Sequence, residues 1–167
     1  MEEKKGNYYL YAIGVLILLL VAVYIWKTVA VRNTEKRLTE HYQKVITGRT
    51  EGLLRMTAIP FSWAVRKEML RENYDQINEY LIRFVKEPLV KQILVVKSDG
   101  IVAVSTDKKL EGMSFSSLYP TQTLNQDEIS ATSAEDGNIV VVAPIMGLNA
   151  RIGFIYMIYM PEKISRE

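Results

Sequence analysis

Residues 93–106 read ILVVKSDGIVAVST, and this stretch decides the fold. Two runs rich in β-branched residues flank the tripeptide Ser98–Gly100. The Asp-Gly pair supplies the positive φ angles that a tight connection between antiparallel strands needs. We therefore predict a β-hairpin with Asp99 and Gly100 as structural turn residues, and we interpret the rest of the chain outward from it.

An uncharged apolar run lies far upstream of the hairpin, from Tyr8 to Trp26. About 19 residues at 1.5 Å rise nearly match a bilayer core of roughly 30 Å. A cleaved signal peptide is the alternative, but bulky residues occupy the positions where a small-x-small cleavage site would be needed. We predict a short tail over 1–7, a transmembrane helix over 8–27 and a juxtamembrane stem helix over 28–60.

The helices between the apolar run and the hairpin are predicted from the spacing of apolar residues and from the position of proline. Pro60 is expected to kink or restart the stem helix, because proline removes a backbone hydrogen bond. Asp75 is expected to cap a second helix that has an apolar stripe over 77–85. Arg49 and Gly52 interrupt the stem's heptad positions, so a dimer through the stem and a stem with one packed stripe both stay open.

Three further strands are predicted after the hairpin, beyond a Ser- and Thr-rich connection over 113–125. Their predicted ranges are 128–134, 138–145 and 151–159. Asp136 and Gly137 form the second predicted hairpin turn, and Pro144 is expected at a strand end because it cannot donate to a ladder. Helices followed by five strands predict an α+β domain over 61–161 with a five-stranded antiparallel sheet, and then a C-terminal tail over 162–167.

The amino-acid composition limits the kinds of chemical site that the chain can form. The chain has no cysteine and one histidine, His41, so disulfides and thiolate chemistry are excluded and no metal site is predicted. No nucleophile-elbow context or acid–base arrangement stands out, so we expect neither an enzyme nor a cofactor. The net charge of +2 hides a basic collar after the apolar run and an acidic remainder. The collar either contacts lipid headgroups or is a solvated face of the helix. Nucleic-acid binding is not expected.

The orientation in the membrane has two interpretations. Lys and Arg are more numerous over 27–44 than over 1–7, and by the positive-inside rule this places the C-terminal domain in the cytoplasm. A roadblock- or longin-like adaptor facing the cytoplasm is the interpretation that follows from the rule.

Four segments together resemble a known family. They are VVKSDGIVAVSTD over 95–107, LEGMSF over 110–115, VVVAPIMG over 140–147 and RIGFIY over 151–156. With the membrane helix and the stem, their order resembles the single Cache domains, which are extracytoplasmic PAS-like sensors. The resemblance implies a PAS/Cache-like sheet with the long helix on one face and a small-molecule pocket on the other. It also implies a periplasmic domain on the bacterial cytoplasmic (inner) membrane.

The resemblance does not extend to the carboxylate-sensing residues of some members. Where those members typically place Arg, His and Arg, this chain has Val102, Thr106 and Val140, so carboxylate binding is not carried over. The polar groups available to a pocket under the 113–125 connection are predicted ligand-binding residues, namely Ser105, Tyr119, Ser133 and Arg151. That connection is either a lid over the pocket or a surface loop with a short helix over 115–119.

These observations predict a single-pass membrane protein that takes part in signal transduction. We expect an extracytoplasmic Cache-like sensory or docking module that acts through partner proteins, since no output domain follows. The partner is another protein or a second copy bound through the stem helix, and the sensory form would also bind a small molecule. A structural subunit that binds no ligand and acts as a scaffold in a membrane complex is the first alternative, and the cytoplasmic adaptor is the second.

Overall fold

The structure, a computed structural model, describes residues 5–122 and 127–161, without the side chains of 5–10 and 29–41. The helices are α1 (Lys5–Met69), α2 (Tyr74–Val85), a 3₁₀ turn (Lys108–Leu110) and α3 (Phe115–Leu118). The strands are β1 (Val90–Lys97), β2 (Val102–Ser105), β3 (Ser130–Ser133), β4 (Ile139–Met146) and β5 (Arg151–Tyr159). The fifth strand has the predicted bounds, and the others differ from prediction by a few residues at their ends.

The chain divides into two compact units, residues 1–46 and 47–167. In the first unit, Tyr11–Thr28 is the one segment of the described helices that is long and apolar enough to cross a membrane, with a mean hydropathy of 2.0 over 18 residues. None of this segment is buried against protein. Large apolar side chains that have no protein partner suit a lipid environment.

The second unit is organised by one antiparallel sheet with the order β2-β1-β5-β4-β3. β1 pairs with β2 and β5, and β4 pairs with β5 and β3, so β5 is the central strand. The edge strands β2 and β3 are consecutive in sequence, so the connection between them crosses the whole sheet. The predicted α+β class with a five-stranded antiparallel sheet is confirmed.

The hairpin between β1 and β2 has the local geometry that Asp-Gly provides. Gly100 has a φ of +81°, a conformation that costs glycine little because it has no Cβ. The Asp99 Oδ1 atom accepts a hydrogen bond from the Ile101 amide at 2.9 Å, and Lys97 Nζ lies 3.1 Å from Asp99 Oδ2. These two interactions lower the pKa of the Asp99 carboxyl, the Ile101 amide more than Lys97.

The turn between β3 and β4 repeats the pattern of the first hairpin. Gly137 has a φ of +83°, and the Asn138 amide donates to Asp136 Oδ1 at 3.0 Å. In both turns a short carboxylate side chain accepts from the amide two residues onward, which is the ordinary role of Asp in an Asx turn.

Alternate side chains of the strands point to opposite sides of the sheet, and each side has its own apolar core. We call the side that packs against α1 and α2 the helix face. Its core contains Ala58, Val65 and Met69 of α1, Ile77 and Leu81 of α2, and the strand residues Ile93, Val95, Val104, Ile139, Val141, Ala143, Ile145, Ile155 and Met157. We call the other side the loop face. Its core contains Leu94, Val96, Val102, Phe115, Val140, Val142, Phe154, Tyr156 and Ile158.

The helix α1 is continuous through Pro60, so a restart at that residue is wrong. Proline removes one backbone hydrogen bond from a helix interior. Ala58, Val65 and Met69 are buried on the helix face on both sides of Pro60. Their burial stabilises the helix across the missing bond, a contribution that local propensity does not include.

The second helix begins two residues earlier than an Asp75 cap would require. Asn73 is the N-cap residue, and its side-chain oxygen accepts a hydrogen bond from the Gln76 amide at 3.4 Å. Its Nδ2 donates to Glu68 Oε2 at 2.9 Å, so the same side chain also satisfies a carboxylate that is 4% exposed. Asp75 lies in the first turn instead, where a negative charge suits the helix dipole.

Pro144 lies inside β4 and not at its end. It pairs with Phe154 of β5, while the pairing of β4 with β3 stops at Val142 opposite Ser130. Proline is tolerated there because that side of β4 has no strand to which an amide would donate.

Candidate ligand-binding site

The loop face carries a cluster of four aromatic rings, Phe115, Tyr119, Phe154 and Tyr156, which we call the aromatic cluster. The ring centroid of Phe115 lies 5.0 Å from that of Tyr156 and 5.1 Å from that of Phe154, and both pairs have edge-on geometry. The Tyr119 and Tyr156 centroids are 4.7 Å apart. These are the separations that aromatic pairs prefer, so the cluster packs as a core and fills the space under this part of the connection.

The segment that covers the loop face is short and is anchored at two points. The predicted helix near 115–119 is confirmed as α3, and Phe115 at its start is 2% exposed. The Tyr119 hydroxyl donates a hydrogen bond to Gln92 Oε1 on β1. The remaining part of the 113–125 connection, from residue 123 onward, lies outside the described residues.

Tyr156 is nearly inaccessible to solvent, and burial raises the pKa of its hydroxyl to about 12, with smaller contributions from Tyr119 and Asp136. Burial also raises the pKa of Tyr119. Removing the phenol from water penalises the anionic form, which is the cause in both cases.

The raised pKa of Tyr156 predicts a stability change at high pH. The unfolded chain ionises this group near pH 10, so the folded state is favoured below pH 10 and loses that stability as the pH rises to about 12. We expect Tyr156→Phe to flatten the loss of unfolding free energy over this window, as measured by urea denaturation. Tyr80→Phe retains Tyr156 and should keep the steep loss. An equally steep loss in Tyr156→Phe would contradict the assignment.

The four predicted ligand-binding residues are not gathered at one place on the sheet. Ser105 lies on edge strand β2 and Ser133 on the opposite edge strand β3, so three strands separate them. At roughly 4.8 Å per strand, this places them almost 20 Å apart. One small molecule cannot contact both hydroxyls, and any binding role they have belongs to separate positions.

Each of the four residues also has a partner within the protein. The Ser105 hydroxyl accepts from the Asp107 amide at 3.0 Å, and the Ser133 hydroxyl donates to Glu51 Oε1 at 2.6 Å. Arg151 Nη1 lies 4.0 Å from Asp127 Oδ1, and the Tyr119 bond to Gln92 is described above. These contacts account for the four side chains structurally, and their role in ligand binding stays a prediction.

An apolar cavity of about 230 Å³ lies on the helix face, where sequence reasoning placed none. Its wall is formed by Leu54, Thr57, Ala58, Phe61, Phe84, Glu87, Pro88, Leu89, Val90, Met157 and Tyr159. Glu87 is the charged residue of the wall. The Thr57 hydroxyl already donates to the Leu53 carbonyl at 2.9 Å. Such a cavity suits a small apolar group, comparable to engineered apolar cavities that bind benzene. The residues come from three separate segments, 54–61, 84–90 and 157–159, so no local pattern could have predicted the cavity.

The described residues contain no group of three or more His, Asp or Glu side chains arranged to hold a metal ion.

Solved structures of limited likeness include two of the ligand-binding domain of the Pseudomonas fluorescens chemoreceptor CtaA, one in complex with L-alanine and one with L-serine. The first is 26% identical over 52% of this chain and 39% of that chain, with a TM-score of 0.34. The second is 24% identical over 49% and 37%, with a TM-score of 0.33. No family model and no curated protein matches the chain.

This chain therefore spans less than half the length of those chemoreceptor domains. At this degree of likeness, the fold class rests on the sheet order and on the two covered faces described above.

Proposed function

We propose that this chain is a single-pass protein of the bacterial cytoplasmic membrane whose α+β domain is an extracytoplasmic sensory or docking module. In this proposal Tyr11–Thr28 crosses the bilayer, and the domain acts through protein partners. The resemblance of the sequence to Cache sensors supports the sensory class. The observation that carries the proposal is the exposed apolar surface on α1.

That surface is a row of large apolar side chains, Leu53, Met56 and Trp63 of α1 and Leu70 directly after its end, which we call the apolar stripe. Each is more than half exposed. Met56, Trp63 and Leu70 recur every seven residues, as the d position of a coiled coil does, and Leu53 takes the first a position. The next two a positions hold Pro60 and Lys67. Ala58, Val65 and Met69 on the same stretch of helix are buried against the sheet, so the stripe is a second apolar side of α1. Apolar rows of this kind on a soluble domain mark interaction sites.

A second copy of the chain is the partner that we propose for the apolar stripe. A heptad row matches itself when two identical helices lie in parallel, and both copies would stand in the same membrane with the same orientation. Arg49 and Gly52 precede the stripe, so the predicted seam begins only at Leu53.

The dimer can be tested by cysteine cross-linking, because the chain contains no cysteine of its own. We expect Met56→Cys to form a disulfide-linked dimer several-fold faster than Arg55→Cys, because Arg55 is exposed but borders residues 127–132 and does not belong to the stripe. The disulfide requires Cα atoms within about 7 Å, which a position of the seam that faces its counterpart meets. The measurement is a time course in membranes, read on non-reducing gels. Equal rates for the two variants, or a monomer by light scattering in detergent, would exclude the dimer.

The orientation of the domain can be tested separately by protease access to intact spheroplasts. We expect added protease to degrade residues 47–167 without lysis. An engineered cytoplasmic marker in the same cells serves as the control for intactness. Protection of the domain until lysis would contradict the extracytoplasmic placement and favour the cytoplasmic adaptor that the positive-inside rule predicts.

A scaffold role without a ligand is the second candidate function, and the aromatic cluster favours it. The four rings fill the part of the loop face where a sensor pocket was expected. Screening small molecules for a rise in melting temperature separates the two roles, since a molecule that binds only the folded state must stabilise it.

A further inference from the structure

The apolar cavity on the helix face has a buried floor and an open mouth. Ala58 of α1 and Met157 of β5 are 4% and 6% exposed, and they form the floor. Glu87 and Pro88, which follow α2, are exposed and lie at the mouth. A molecule of matching size can therefore pass from solvent to the floor through this mouth.

The side walls of the cavity are aromatic. Phe61 of α1 and Phe84 of α2 lie against each other, with ring centroids 5.0 Å apart and ring planes inclined by 60°. Both rings are half-buried, and Tyr159 at the end of β5 adds a third ring to the wall. The thioether of Met157 on the floor is also a favourable neighbour for an aromatic ring. These groups offer a flat guest the edge and face contacts that aromatic pairs prefer.

The polar groups of the wall are already paired within the protein. The Glu87 amide donates to the Phe84 carbonyl at 3.0 Å, and the Leu89 carbonyl accepts from the Met160 amide at 2.7 Å. The Thr57 hydroxyl donates along its own helix, as described above. A peptide that added a strand here would need such backbone groups for its ladder, so strand addition is not favoured. A guest that needs no hydrogen bond fits this wall.

The volume of the cavity limits the size of the guest. At about 230 Å³ it is too small for a helix, which has a diameter of about 10–12 Å with its side chains. An engineered cavity of roughly 150 Å³ in another protein, also lined by apolar side chains, binds benzene. The cavity of this chain therefore has room for one substituted ring or two fused rings.

We propose that the apolar cavity binds a small uncharged aromatic molecule. Contact with Ala58, Met157 and the paired phenylalanine rings supplies the affinity. A charged group brought to the floor would lose its hydration without gaining a partner, because the one charged lining residue, Glu87, lies at the mouth in contact with water. The site lies on the opposite side of the sheet from the pocket that the Cache resemblance implies, and the proposal does not depend on the membrane orientation or on the dimer.

Methyl NMR of the full chain in detergent, with the methionine methyl groups labelled with ¹³C, detects binding at the floor itself. We expect toluene to shift the Met157 methyl signal in a saturable way and to leave the signal of Met113, which precedes α3 outside the cavity, unchanged. Benzoate and benzylamine carry a charge on a ring of the same size. At equal free concentrations they should bind about tenfold more weakly or worse. No saturable shift with toluene, or binding of either charged compound as tight as that of toluene, would overturn the proposal.

Substitutions test whether the cavity is responsible for the shift. Ala58→Leu places a larger side chain on the floor, so we expect it to abolish toluene binding and to keep or raise the melting temperature without ligand. Ala150→Leu adds the same group at the exposed turn between β4 and β5 and should leave binding unchanged. Phe84→Leu keeps an apolar side chain but removes a ring, and it should weaken binding several-fold. Unchanged binding in Ala58→Leu or in Phe84→Leu would contradict the proposal, and Phe84→Leu decides alone should Ala58→Leu fail to fold.

A thermal measurement gives a second readout of the same site. Toluene should raise the melting temperature of the parent chain and of Ala150→Leu, because it binds only the folded state, and should not raise that of Ala58→Leu. An equal rise in all three would mean that toluene acts elsewhere, which would refute the site. These variants leave the apolar stripe intact, so the dimer and the aromatic site succeed or fail independently.

Discussion

Replacing Gly153 with alanine is expected to lower the free energy of unfolding of the domain by about 3 kcal/mol or more. Gly153 lies on the central strand β5, between Lys97 of β1 and Ile145 of β4. A Cβ at this position would overlap the Val96 carbonyl oxygen and stand 3.0 Å from the Met69 Cε atom of α1. The Val96 contact is with backbone on a paired strand, which cannot move aside without breaking the sheet.

Urea denaturation of the full chain in detergent, followed by near-ultraviolet circular dichroism, would measure this loss. Gly48→Ala in α1 is the matched control, because no atom lies within 4 Å of a Cβ built there. Alanine is a better helix former than glycine, so this control should gain roughly 0.5–1 kcal/mol. Opposite signs for the same substitution would show that the effect at Gly153 comes from close packing. A Gly153→Ala variant as stable as the parent would refute the packing at the centre of the sheet.

Replacing Phe115 with alanine should cost about 3–5 kcal/mol and release the cover of the loop face. Phe115 is 2% exposed, and its ring contacts Tyr119, Phe154 and Tyr156 of the aromatic cluster. Truncation removes all three ring contacts and leaves a cavity that the neighbouring rings, held on β5 and α3, fill only in part. Tyr156 would then become accessible to water.

The measurement combines urea denaturation with a titration of tyrosine absorbance. In Phe115→Ala we expect the pKa of Tyr156 to fall from about 12 toward its ordinary value, because the burial that raises it is lost. Met113→Ala is the control, since Met113 is 41% exposed and precedes the same helix. If Phe115→Ala and Met113→Ala were equally mild, the aromatic cluster would not be the core of this face.

Several elements could be predicted because their signals are local. The Asp-Gly turns follow from backbone geometry within two or three residues, and the bounds of β5 follow from an apolar run between turn residues and Pro161. The short helix α3 was recognised as an alternative to a lid over the pocket. The predictions that failed also used local signals. Asp75 was expected to cap α2 because its residue type suits a cap, but Asn73 takes the position and also bonds to the buried Glu68.

The candidate sites could not be predicted from local patterns. Ser105 and Ser133 were assigned to one pocket as polar groups of predicted strands, although the sheet order places them on opposite edges. The cavity beside Arg66 joins residues of α1, β4 and the segment before β3, and nothing in the pattern around Arg66 distinguishes it from the other arginines of the helix.

The sequence by itself determined the apolar helix, the two Asp-Gly hairpins, the number of strands and the α+β class, because hydrophobic period and turn chemistry act over a few residues. Only the tertiary structure decided that β5 lies at the centre, that α1 continues through Pro60, that aromatic rings fill the loop face and that Arg66 Nε is buried with no partner among the described residues. These features depend on contacts between residues far apart in the chain. Their free energies come from burial and pairing that exist only after the sheet has assembled.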